Sequence, residues 1–223
     1  MRKRRSILAL TLLLGVAGGA GGQILAPPLG EVPLADVLEI LQLERELIAV
    51  DGARGAQASV ALHLGERVLW SGSRGRVGLV LTDQRILAVA VGSAAWQETR
   101  YQRSEQLAED ALLGDRVALI VTSSRAIGFD GGSGNLIELR FGPGETLVSA
   151  RVGESVAVVV TDRRALGLSP SAGGFFESRL QARERVEQVS ARANFVTVTT
   201  DRRVLIFRAP SGSWSERRLD LDS

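Results

Sequence analysis

Apolar and polar residues alternate with a period of two through most of this chain, in short runs broken by polar or glycine turns. That alternation is the mark of β-strands rather than helices. Four stretches align on one another: RVGLVLTDQRILAVAV from Arg76, RVALIVTSSRAIGFDG from Arg116, SVAVVVTDRRALGLSP from Ser155 and FVTVTTDRRVLIFRAP from Phe195. Each carries Thr, then Asp or Ser, then any residue, then Arg, and the arginines Arg85, Arg125, Arg164 and Arg203 recur every 39 or 40 residues. Glu66, Glu105, Glu145 and Glu184 mark the same period, each followed two residues later by Val68, Leu107, Leu147 or Val186. One more step back reaches Arg45 in DVLEILQLERELIAVDG, where Val37, Leu41 and Leu47 align with Val77, Leu81 and Leu87 and Leu43 replaces the Asp.

Within the third clear copy, strands are predicted over 145–152, 155–161, 165–169 and 175–180, joined by GES, DRR and PSAGG. Four short antiparallel strands in about 40 residues cannot cover both faces of their own sheet, so such units stack on one another. The expected fold is an all-β propeller of about five four-stranded blades, spanning residues 23–223 as one domain with a degenerate first blade at 23–64. Two features mark that first blade as irregular. LAPPLGEVPLADV holds three prolines, which remove ladder donors, and LADVLEILQLERE also fits a helix at 34–46.

The layout VAVVVTDRRALGLSPSAGGFFESRL resembles the repeat of the pyrroloquinoline-quinone-like, WD-like propellers: an apolar strand, a TDG-like turn, a second strand, a small-residue turn, then a strand with an aromatic. The turn glycine of those repeats is replaced by Gln84, Ser124, Arg163 or Arg202, and the late-strand Trp is present as Trp96 and Trp214. The resemblance implies blade geometry without implying a quinone. GERVLWSGSRGRVGLVLTDQRILAV is also similar to the core of bacterial PH-like, membrane-associated domains; those would carry the TDxR turn once in roughly a hundred residues, not every 40.

Composition narrows the chemistry. The chain has 223 residues, no cysteine and one histidine, His63, which removes disulfides, thiol nucleophiles and multi-histidine metal sites. The formal charge of +2 includes Arg2, Lys3, Arg4 and Arg5; without these four the chain has 23 basic and 25 acidic residues. No long single-sign block follows, so nucleic acid is not an expected partner. MRKRR, the apolar SILALTLLLGVAGGA and the small residues GGQ read as a signal peptide over 1–22, cleaved on export to the periplasm or exterior, leaving no membrane span.

Asp83, Asp162 and Asp201, with Arg85, Arg125, Arg164 and Arg203, are expected to be structural, because a motif present in every blade answers a need that every blade shares. Asp130 and Asn135 around FDGGSGN lack the spacing of a calcium loop and read as a turn. Candidate channel or binding residues are Trp70, Arg74, Glu109, Asp110, Arg151, Glu187 and Arg192, all assigned to innermost strands. The expected function is a non-catalytic extracytoplasmic scaffold that binds another envelope protein, without cofactor or metal. The alternative is a carbohydrate-active propeller in which Glu109, Asp110 or Glu187 pair as acid and base.

Overall fold

The structure, a computed structural model, describes residues 37–108 and 110–219. The proposed signal segment, the remainder of 1–36 and Glu109 lie outside the described residues. Among the described residues the chain forms five antiparallel sheets in sequence order. Sheet 1 has three strands, Leu38–Gln42, Glu46–Asp51 and Gln57–Ala61. Sheet 2 contains Val68–Arg74, Val77–Thr82, Arg85–Ala90 and Gln97–Arg100. Sheet 3 contains Leu112–Leu113, Val117–Val121, Arg125–Asp130 and Asn135–Arg140. Sheet 4 contains Leu147–Val152, Ala157–Thr161, Arg164–Ser169 and Gly174–Arg179. Sheet 5 contains Val186–Ala191, Phe195–Thr200, Arg203–Arg208 and Ser213–Arg218. Every sheet is a simple meander, and each stacks face to face on the next, which is the architecture of a β-propeller. The segment read as either helix or strand resolves as strand over Leu38–Gln42.

Stacking explains why the second and third strands of sheets 2 to 4 are buried along almost their whole length. The front face of sheet 2 (Val77, Leu79, Ile86, Ala88) packs on the back face of sheet 3 (Ala118, Ile120, Ile127, Phe129). The same relation joins Val117, Leu119 and Ala126 to Val159, Leu166 and Leu168, and then Val158 and Ala165 to Val198, Leu205 and Phe207. A glycine in the third strand admits the neighbour's large side chain. A Cβ on Gly167 would lie 2.5 Å from the Phe207 ring, and one on Gly128 would overlap Leu168. Each such buried side chain contributes roughly 1.5–3 kcal/mol through loss of hydrated apolar surface.

Sheet 1 corrects the repeat alignment by one residue. The Leu43 N–H donates to the Glu46 carbonyl, as the Thr122 N–H does to Arg125, so Glu46 and not Arg45 holds the arginine position. Ala61 ends the last strand of sheet 1 where Arg100 ends that of sheet 2, which makes the described strands of sheet 1 equivalent to the second, third and fourth. In this register Leu38, Ile40, Leu47 and Ala49 face sheet 2. A shift of one residue would turn all of them outward.

Candidate functional site

The repeated motif builds an ionic clamp at each junction between sheets. Its threonine closes the hairpin turn: Thr82 Oγ1 accepts from the N–H groups of Gln84 (3.1 Å) and Arg85 (2.9 Å) and donates to the Arg85 carbonyl. Thr122, Thr161 and Thr200 repeat this arrangement. The aspartate reaches the start of the first strand. Asp83, Asp162 and Asp201 accept from the N–H groups of Arg67, Thr146 and Arg185 at 2.9–3.0 Å.

The arginine binds a glutamate rather than the aspartate. Arg85 forms a two-pronged pair with Glu66 (2.9 and 3.0 Å), Arg125 with Glu105 (2.8 and 3.0 Å), Arg164 with Glu145 and Arg203 with Glu184. A second carboxylate follows thirteen residues after each arginine: Glu98, Glu138, Glu177 and Glu216. Nη2, which already serves the first glutamate, uses its other hydrogen to cross to the preceding sheet and donate to the carbonyl of Ala61, Arg100, Arg140 or Arg179. The planar five-donor fork of arginine serves all three partners at once, which an ammonium cannot do.

Burial of these glutamates favours the neutral acid and pushes their pKa up. The arginine hydrogen bonds, a backbone N–H and a threonine hydroxyl outweigh that effect, holding Glu66, Glu105 and Glu145 down to about 2 and lowering Glu184 as well. These carboxylates are locked as anions. None is poised as a proton donor near neutral pH.

The candidate channel residues have separate environments. Trp70 follows a register shift in the first strand of sheet 2; its ring folds over Gly72 and packs with Leu113 in the core shared by sheets 2 and 3. Arg74 pairs with Asp115 at 2.8 Å, joining the turns of those two sheets. Arg151 is exposed and donates to the carbonyl of Ala150. Asp110, Glu187 and Arg192 are exposed and form no side-chain hydrogen bond or ion pair among the described residues. Asp110 precedes the first strand of sheet 3 and Glu187 lies on that of sheet 5, with the first strand of sheet 4 between them. No cluster of three or more potential metal ligands occurs among the described residues. Asp130 accepts from the Gly132 N–H (2.7 Å) and the Ser133 hydroxyl (2.6 Å), so the glycine-rich loop is a closed turn.

Sequence reasoning named Arg74 and Arg192 as channel residues without recognising the side of the stack to which they belong, where the first strand turns into the second and the third into the fourth. There Arg54, Arg76, Arg116, Arg192 and Arg208 form no ion pair. The acids of that side are engaged otherwise: Asp51 and Asp130 accept backbone N–H groups and Asp115 holds Arg74, which leaves Glu154. A groove of about 530 Å³ crosses the turns of sheets 3, 4 and 5, lined by Arg116, Asp130, Ser133, Ser155, Asn194 and Pro210 among others. The available signal was positional, since Arg76 and Arg116 occupy one place in successive repeats.

The sheet order and stacking define the protein as a β-propeller. No protein-family model matches the chain, and no curated protein matches it. Among solved structures, it is similar to yeast RCC1 (Prp20) in its complex with Kap60, with 9% identity, 74% of this chain and 54% of that chain covered, and a TM-score of 0.38. It is also similar to HIRA, with 12% identity, coverage of 84% and 54% and a TM-score of 0.39. A chain of the mitotic checkpoint complex aligns at 12% identity over 98% of this chain and 76% of that one, with a TM-score of 0.38. The chain spans about half the length of the first two. No helix among the described residues is long and apolar enough to cross a membrane.

Proposed function

We propose that this protein is a non-catalytic binding scaffold of the cell envelope, and that its arginine-rich turn side receives a protein partner presenting carboxylates. The observation that carries this reading is the excess of unpaired guanidinium groups on one side, beside an open groove of about 530 Å³. Arginines so placed favour planar recognition of acidic side chains and accelerate encounter with a negatively charged surface. The repeated titratable groups are already committed to holding the sheets together, and the described candidates for acid and base chemistry, Asp110 and Glu187, belong to different sheets. Export follows from the basic and apolar pattern of residues 1–22.

The test is affinity capture from envelope extract, comparing wild type with the Arg116→Glu/Arg192→Glu variant. A stoichiometric acidic partner retained by the first and lost by the second supports the reading. An identical set of captured proteins for both, or glycan hydrolysis abolished by Glu187→Gln, overturns it. Intact-mass analysis of the periplasmic protein tests the leader, and recovery of Met1 would refute cleavage.

A further inference from the structure

The four clamps join sheets 1 to 2, 2 to 3, 3 to 4 and 4 to 5. Among the described residues no comparable contact links sheet 5 to sheet 1. The front face of sheet 5 is uncovered, with Phe195 40% exposed and Val204 and Ile206 half-buried. Among the described residues nothing covers the back face of sheet 1 either, with Leu41 41% exposed and Ile48 and Val50 half-buried. A groove of about 500 Å³ lies against the first of these faces, lined by Asn194, Phe195, Ile206 and Arg208 among others.

We infer that the front face of sheet 5 docks the back face of sheet 1 of a second copy of this chain, continuing the stack head to tail. Two observations favour that occupant. The first is charge. The sheet 5 face carries Arg208 and Arg217, and the sheet 1 face carries Glu39 and Glu46. Glu46 stands where the other sheets place the clamp arginine, whose guanidinium reaches the last strand of the preceding sheet. A docked Glu46 would therefore meet the end of the sheet 5 last strand, which reads Arg217-Arg218. At this junction a carboxylate facing arginines replaces an arginine facing a carbonyl.

The second is backbone. The N–H groups of Arg76, Arg116 and Ser155 donate to carbonyls of the next sheet's turn, those of Asp115, Glu154 and Ala193. The equivalent N–H of Asn194 has no partner among the described residues. Contacts of this heterologous kind grow into rings or filaments, not isologous dimers.

Sedimentation velocity on the purified chain, over a concentration series at low and high salt, reads the assembly directly. The expected result is concentration-dependent association weakened by salt. Arg208→Glu/Arg217→Glu and Glu39→Arg/Glu46→Arg should each be monomeric, with unchanged circular dichroism and melting. Mixed together they should associate again in alternation, because the native arginine face of one meets the native glutamate face of the other and the two reversed faces are also opposite in charge. A monomeric wild type at every concentration overturns the inference and leaves the two faces to closure within one chain. Assembly unaffected by either double variant, or no rescue on mixing, overturns it equally.

Discussion

Replacing Glu105 with Gln tests the clamp where both side chains are enclosed, that of Arg125 being 3% exposed and that of Glu105 1%. The substitution conserves shape and removes the charge. Oε1 of Glu105 accepts from Arg125 Nε and the Thr122 hydroxyl; Oε2 accepts from Arg125 Nη2 and the Gln102 N–H at 2.6 Å. A carboxamide has one acceptor and one NH2, so either orientation sets a donor against at least two donors. Two routes to the cost agree. Holding the carboxyl at about 2 instead of the ordinary 4.5 corresponds to about 3 kcal/mol at neutral pH. Breaking one side of a buried pair costs about 3–5 kcal/mol, the lower end applying here because Glu138 still accompanies the arginine. The folded-state pKa lies below the unfolded one, so the stabilisation is complete above about pH 4.5 and disappears as pH falls through about 2. Urea unfolding of wild type and variant at neutral pH, repeated through that acid window, should show a gap of about 3 kcal/mol that closes with acid. A gap below about 0.5 kcal/mol, or one indifferent to pH, would refute the account, since surface changes lie within that range. The double variant Glu105→Leu/Arg125→Met should be more stable than Glu105→Gln, because it leaves no uncompensated buried charge.

Gly153→Ala should lower the melting temperature strongly, since the new Cβ would be driven into the backbone carbonyl of Arg192 in the next sheet. Gly173→Ala, in open space but at φ 72°, should cost only the local backbone strain of about 1 kcal/mol, and equal losses in the two would contradict close apposition of the turns. Asp162→Ala should cost about 1 kcal/mol in denaturant midpoint through the lost Thr146 N–H bond while leaving partner capture intact; lost capture at unchanged stability would move the motif from structure to function.

The period was legible because Thr, Arg and Glu are each required once per sheet and the loops scarcely vary in length. The glutamate partners were visible as a phase marker, yet the sequence left the arginine between the aspartate two residues away and a neighbouring blade, and only the second of these is realised. Proximity along the chain misled there: across a sheet junction the nearer carboxylate in space is nineteen or twenty residues back in sequence. The first repeat slipped by one because DVLEILQLERELIAVDG is apolar on both faces of its strands, so Leu38 with Ile40 and Leu41 with Ile48 support either register equally. Hydrogen bonds separate the two, from Leu43 to Glu46, from Leu62 to Arg45 and from Gly52 to Val37. For Trp70 the sequence weighed a channel mouth against core packing and favoured the core, where the structure has it, just after the register shift between Val68 and Trp70. Arg192 was named as a channel residue, but the arginine-rich side as a whole escaped notice because its members come from different turns and make no run in the chain.

The two ends of each junction are set by different chemistry, and together they leave the stack little freedom to slide. At one end the clamp fixes the third strand against the preceding sheet's last carbonyl by charge-assisted bonds. At the other, turn N–H groups donate to the next sheet's carbonyls, and glycines at 114 and 153 permit the backbones to touch. Between them lies packing of one large side chain into one small position, which specifies distance but not direction. Sheet 5 changes all of these at once on its outward side: Thr197 and Thr199 stand where Leu79 with Leu81 and Val158 with Val160 stand elsewhere, and Ile206 fills the hollow that glycine leaves open in sheets 3 and 4. Threonines give that face tolerance of water, while Phe195, Val204 and Ile206 keep it apolar enough to bind. A terminal repeat with no neighbour to meet would be polar throughout. This one keeps an apolar centre and places its arginines at the rim, the composition of a surface that is sometimes covered.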